Sequence, residues 1–189
     1  MKNDRLKSMI VVGLMAALVF IFTYIRIDIP TPLGKTMIHL GNVMCLLAAL
    51  LFGPLKGGLA AGIGSMFFDM FDPVFLPECW ITFINKFAMA FVAGIFAHYL
   101  LKKAGVLRFP LSAAFGAITY TLLYIGKTII VNYFVLGNTW QAVSATAITK
   151  GTVSLVNAII AAVASVILCS LLRATLKKSG MSDKLGVIE

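Results

Sequence analysis

Apolar residues run in long blocks along this chain, and most charged residues fall between the blocks. Six blocks predict helices, over about 8–25, 42–52, 55–71, 80–101, 111–136 and 151–172. About 20 residues, rising 1.5 Å each, cross the hydrocarbon core of a bilayer. The apolar zone 42–71 is broken at FGPLKGG, where Gly53 and Pro54 stop one helix and Lys56, Gly57 and Gly58 begin the next. The pattern predicts two short helices there, with one kinked helix as the alternative. The expected fold class is all-α and integral to a membrane, one domain over 1–189 with six transmembrane helices and cytoplasmic N- and C-termini. A long first outer loop, RIDIPTPLGKTMIHLGN, carries two prolines and two glycines. It is too long for a simple turn and reads as a lid or binding loop, a passive connection being the alternative.

Composition supports the membrane reading. The chain has 189 residues, 60% of them hydrophobic and 12% charged, with mean hydropathy +0.99. Soluble domains carry about 25% charged residues, and a soluble core of this size could not hide so much apolar surface. Lys2, Arg5 and Lys7 before the first apolar run could open a signal peptide, but Pro30 and Pro32 follow without a small-residue cleavage pattern, so a retained first helix is expected.

The net charge of +9 is explained by its placement. With the N-terminus inside and six crossings, the cytoplasmic stretches hold Lys2, Arg5, Lys7, Lys56, Lys102, Lys103, Arg108, Arg173, Lys177, Lys178 and Lys184, eleven of the 16 basic residues. The outer loops hold only Arg26 and Lys35, while Asp72 and Glu78 make the loop after the third helix acidic. This is the positive-inside pattern, and no nucleic-acid partner is expected. Three cysteines without a CxxC pair imply no disulfide framework, and His39 and His98 lack ligand spacing, so no metal is expected. No Ser/His/Asp order, HExxH or paired carboxylates occur within the blocks, so no catalytic residue is assigned.

Three lysines remain, Lys86, Lys127 and Lys150, all inside or at the edge of predicted spans. A charge in the hydrocarbon costs a few kcal/mol or more. Thr82, Lys86, Ala90 and Gly94 form one stripe; Gly116, Tyr120, Tyr124 and Lys127 a second; Lys150, Ser154, Asn157, Ala161 and Ala164 a third. Small-residue stripes are where membrane helices approach closely, so these lysines are expected to face protein or an outward-open polar pocket between the last three helices. Lys150, at the expected start of the sixth helix, and Lys86 could instead snorkel to the interface. Asp69 is the nearest expected partner of Lys127. The glycines of GGLAAGIGS pack helices, and Gly13 and Ala17 form either an internal packing face or a docking face on the first helix.

MIHLGNVMCLLAALLFGPLKGGLAAGIGSMFFDMF, followed by TFINKFAMAFVAG, resembles the substrate-binding (S) components of energy-coupling factor (ECF) vitamin transporters, in the hydroxymethylpyrimidine/pyridoxine-type or riboflavin-type branch. The resemblance covers about 8–172. It implies a six-helix protein of the bacterial cell membrane that binds a water-soluble vitamin from outside with high affinity. It further implies docking, through small residues that fall on Gly13 and Ala17, onto a transmembrane coupling (T) subunit driven by two cytoplasmic ATPase subunits. The chain has no GxxxxGK[ST], so ATP is expected to be hydrolysed by those partners, with no cofactor bound here. The family's ligand contacts fall on His39, Asn42, Trp80, Asn85, Lys86, Tyr124, Lys127, Lys150, Ser154 and Asn157, Trp80 having an interfacial anchor as its alternative role. Intramembrane lysines disfavour a cationic vitamin and permit neutral, acceptor-rich rings. A stand-alone secondary transporter is the other function considered, but no internal repeat is visible.

Overall fold

The computed structural model describes residues 2–188, with the backbone alone for 2–4, 183 and 184, so the side chains of Lys2 and Lys184, counted above as cytoplasmic charges, lie outside the described residues. The chain forms α1 (Lys2–Tyr24), a hairpin of β1 (Arg26–Thr31) and β2 (Gly34–His39), α2 (Gly41–Phe52), α3 (Pro54–Met70), α4 (Cys79–Ile95), α5 (Arg108–Ile129), α6 (Trp140–Lys178) and a short α7 (Ser182–Leu185). A π-helical turn extends α4 over Phe96–Leu100 and another extends α5 over Ile130–Val135.

The zone 42–71 is two helices, as expected from its break. Gly53 sits at φ +82°, ψ −178°, a region open essentially to glycine alone, and Pro54 occupies the first turn of α3. The segment expected as the first outer loop corrects the all-α expectation. It is an antiparallel hairpin pairing Arg26 with His39, Ile27 with Ile38 and Pro30 with Lys35. Its turn is Pro32–Leu33, followed by Gly34 at φ +105°. Two prolines forbid a helix here, and the alternation of RIDI and KTMI suits a two-faced ribbon.

The sixth helix is also longer than expected. It begins at Trp140 after the extended Thr139 and runs 39 residues. Nothing between Gly137 and Gly180 breaks it, since Gly151 lies inside a long Ala-rich run. Lys150 therefore lies almost three turns inside α6 instead of opening it.

Every residue of α2 is buried, and it packs against α1, α3, α4, α5 and α6. A helix apolar on all faces belongs in the centre. Glycines permit the closest approaches: a Cβ on Gly57 would lie 2.4 Å from Ala49 Cα, and one on Gly94 would lie 2.4 Å from Pro54 Cα. α1 packs through Val11, Met15 and Val19 and leaves Gly13 and Ala17 exposed. Of the two readings of that pair, internal packing is therefore excluded within this chain.

Among the described residues, four segments are long and apolar enough to cross a membrane, namely Arg5–Tyr24, Leu76–Leu100, Gly105–Val135 and Trp140–Lys178. α2 and α3 are shorter, at 12 and 17 residues. The connections sort to two ends. The hairpin meets the segment after α3 at one end, through Arg26 and Asp72. Gly53, the α4–α5 connection and the C-terminal segment share the other, where the Ile188 N–H donates to Leu51 O at 3.0 Å and Arg108 Nε donates to Ala97 O.

Candidate functional site

A polar cavity opens under the hairpin. β2 contributes Thr36, Met37 and His39; α3 gives Ser65, Phe68 and Asp69; the following turn gives Phe75 and Glu78. α4 supplies Ile81, Thr82, Asn85 and Lys86; α5 supplies Tyr120, Tyr124 and Lys127; α6 supplies Ser154 and Asn157; Thr23 of α1 closes the set. The space free for water-sized molecules is about 40 Å³, enough for a few waters.

The three intramembrane lysines have different fates. Lys86 is 3% exposed and does not snorkel. Its ammonium donates to Asn42 Oδ1 and stands 3.7 Å from the Tyr120 ring centroid, a cation–π contact. Lys127 pairs with Glu78, which corrects the expected pairing with Asp69. The turn after α3 carries Glu78 across to α5, a convergence that spacing within a helix cannot reveal. Asp69 is buried on the cavity wall and accepts from Thr82. Lys150 is buried inside α6, 5.6 Å from the Tyr124 ring centroid, and off the cavity wall.

Seven of the ten expected contact residues line this cavity: His39, Asn85, Lys86, Tyr124, Lys127, Ser154 and Asn157. Asn42 lies behind the wall as the acceptor for Lys86. Lys150 and Trp80 do not reach it, and Trp80 is 69% exposed at the start of α4, on the outer surface of the bundle. Asn157 has both ends of its amide engaged. Oδ1 accepts the His39 N–H at 3.1 Å and Nδ2 donates to Met37 O at 2.8 Å, which ties β2 to α6. His39 Nδ1 accepts the Gly41 N–H, which places the proton of the neutral ring on Nε2. Ser154 shares a hydrogen bond with Thr121 at 2.9 Å.

Sequence reasoning missed Tyr120 as a lining group, although its stripe contained it. Tyr120 and Tyr124 stack with ring centroids 5.6 Å apart and planes 11° from parallel, and the Tyr124 hydroxyl meets the Thr36 hydroxyl at 3.2 Å. It also missed Asp72 as the hairpin's anchor. Asp72 accepts from Arg26 at 3.0 Å, Lys35 at 2.9 Å and the Val74 N–H at 3.1 Å. Burial alone would raise its carboxyl, but the Lys35, Val74 and Arg26 hydrogen bonds outweigh it and hold the group below its ordinary value. The same bond to Asp72 raises Lys35 against the opposing effect of its burial.

Apolar helices around one charged cavity, capped by a hairpin, are the build of a membrane transport component. The family model for the S component of ECF-type riboflavin transporters matches residues 3–174, and the chain belongs to that family, one of transporter components and not of enzymes. A UPF0397 protein of Lactococcus lactis subsp. cremoris (strain NZ9000) is 30% identical over 97% of this chain and all of that protein. The riboflavin transporter RibU of Staphylococcus aureus (strain TCH60) is 30% identical over 69% of this chain and 65% of that protein. A solved structure, described as the S component of a bacterial ECF transporter, superposes with a TM-score of 0.57 at 20% identity, covering 92% of this chain and 97% of that one. The fold is therefore that of an ECF S component, and the protein is the S component of a vitamin transporter.

Proposed function

We propose that this chain captures a single-ring, water-soluble vitamin or precursor of the pyridoxine or hydroxymethylpyrimidine kind from outside the cell. One observation carries the reading: the cavity sets two ammoniums, Lys86 and Lys127, and two carboxylates, Asp69 and Glu78, around a stacked tyrosine pair. That balance favours a neutral ligand with both donors and acceptors. It also removes the argument that lysines alone exclude a cation, because the carboxylates offset them. A second reading, riboflavin, is supported by the description of the matching family model.

All six long elements, α1–α6, cross the bacterial cell membrane in this proposal, with the hairpin outside and both termini cytoplasmic. The basic end, with Lys56, Arg108, Arg173 and Lys177, supports that orientation. Resemblance to the family supports docking on a T subunit driven by two ATPase subunits. Native mass spectrometry of the purified protein weighs the co-purified ligand, and calorimetry with pyridoxine, hydroxymethylpyrimidine and riboflavin ranks them. The single-ring reading expects submicromolar binding of one of the first two. Tight riboflavin binding with neither of the others replaces it by the second reading.

A further inference from the structure

α2 is fastened at both ends by groups that lie outside it. At the cavity end, Asn42, 1% exposed, accepts from Lys86, and the Gly41 N–H donates to His39 Nδ1. The helix then runs 12 residues, about 18 Å at 1.5 Å per residue, to the break at Gly53. The last carbonyls of a helix have no partner within it, and here two distant segments supply donors. His98 Nε2 donates to Ala49 O at 3.2 Å, and the Ile188 N–H donates to Leu51 O at 3.0 Å. The second donor belongs to a strap. Gly186, at φ +68°, turns the chain after α7, and the Leu185 and Val187 side chains pack against the buried core while Ile188 stays 38% exposed. Ile188 lies on the break itself, since a Cβ built on Gly53 would stand 2.6 Å from Ile188 Cδ1. Gly94 of α4 meets the same break at Pro54, so α4 and the strap both hold it.

The two fastenings differ in strength. Among the described residues, one backbone hydrogen bond and a few partly buried side chains hold the strap, the make-up of a segment that opens locally at low cost. α2 is buried on every face, and a close-packed interior passes displacement on instead of absorbing it. A shift at Leu51 therefore reaches Asn42. We propose that residues 185–188 are a latch that keeps α2 seated with Asn42 behind Lys86, so that lifting the latch at the far end of α2 loosens the cavity's hold on its ligand. The proposal rests on the reading of that cavity as the vitamin site. Coupling between two sites is reciprocal, so a ligand that braces Lys86 also holds the strap down.

Amide hydrogen exchange in detergent tests this on the full chain, on Ile188→Asn and on a chain ended after Met181, first without ligand. Both variants should exchange severalfold faster at Gly53 and Gly57 and onward along α2 to residues 45–47, with residues 113–117 of α5 unchanged. Ile188→Asn, at an exposed position, decides the matter if the shortened chain fails to fold. Acceleration that stops at the break, uniform acceleration through all helices, or none at all overturns the proposal. Pyridoxine, hydroxymethylpyrimidine and riboflavin then serve as separate probes. Whichever binds should dissociate severalfold faster from both variants and should slow exchange of the Ile188 amide in the full chain. Equal dissociation rates, or Ile188 exchange unchanged by a bound probe, also overturns it. Should none of the three bind, the vitamin reading fails on its own, and the ligand-free exchange pattern decides the latch.

Discussion

Lys86 is held between an amide and an aromatic face, and both contacts bear on what its removal does. Lys86→Met drops the donor that faces the cavity. A hydrogen bond to a charged group contributes about 1.5–3 kcal/mol, and each 1.4 kcal/mol is about tenfold in affinity. Vitamin affinity should fall roughly ten- to a hundredfold by titration calorimetry. Unchanged affinity would show that Lys86 serves only Asn42 and that the ligand sits elsewhere. The variant should also lose stability, because Asn42 is left buried without its donor, at a cost of about 1–3 kcal/mol. No partner for Lys86 is visible within its own helix, so the sequence does not show this cost. The lysine was legible because an ammonium stands out in an apolar run. Asn42 was legible only as a separate contact residue, because the packing of α2 against α4 brings together positions 44 apart. Glu78 escaped for the same reason, as a loop residue with no helical period.

At the scale of the element, the hairpin is a cap held by a few groups: Asn157, Tyr124 and Asp72. Asp72 binds Lys35 and Arg26 at once, so Asp72→Asn should loosen the hairpin without touching the cavity floor. Hydrogen exchange of the β1 and β2 amides should quicken at neutral pH, and vitamin dissociation should speed up severalfold. The pH window follows from the two shifts. The Asp72 carboxyl is depressed, so its contribution is complete above its ordinary 3.8 and fades as pH falls through the depressed value. Lys35 is raised, so its contribution is complete below its ordinary 10.5 and fades as pH rises through the raised value. Hairpin protection should therefore be flat between those limits and drop at both ends; a steep change near pH 7 would assign the latch to another group. The hairpin was hidden in the sequence because its prolines and glycines read as loop, although the alternation of RIDI before PLG was a usable signal. The α2–α3 break was legible because Gly53 and Pro54 act locally. The close contact of Gly94 with Pro54 was not. Gly94→Ala forces a Cβ against backbone, and overpacking costs about 1–3 kcal/mol. Thermal melting in detergent should register that loss, and an unchanged melting point would mean that α4 shifts freely away from α3.

Over the whole molecule, the faces of α1 divide the labour. Val11, Met15 and Val19 hold the bundle, while Gly13 and Ala17 look outward. Gly13 has no atom within 4 Å of a built Cβ, so a larger side chain meets nothing inside this chain. Gly13→Leu and Ala17→Leu should leave folding and vitamin affinity at wild-type levels and abolish uptake in cells carrying the T and ATPase subunits. Normal uptake by either variant would remove this face from the docking surface. Membrane class and the order of long helices were legible in the sequence, because hydrophobic length and basic ends are properties of single segments. The start of α6 was not, because Gln141, Ser144, Thr146 and Thr149 interrupt the apolar run, although no glycine or proline between Asn138 and Lys150 ends a helix there.

α2 has one further consequence, for how the protein is made. A helix of 12 residues falls short of the bilayer core, and this one keeps no face for lipid. It therefore cannot be held in the membrane as an independent segment during synthesis. Its neighbours on five sides include α6, the last long helix to leave the ribosome. Until α6 arrives, one side of α2 has only lipid or water beside it, and the tertiary fold completes at the end of translation. A chain stopped before Trp140 should be inserted yet remain open to proteolysis near Gly53, where the full chain is closed.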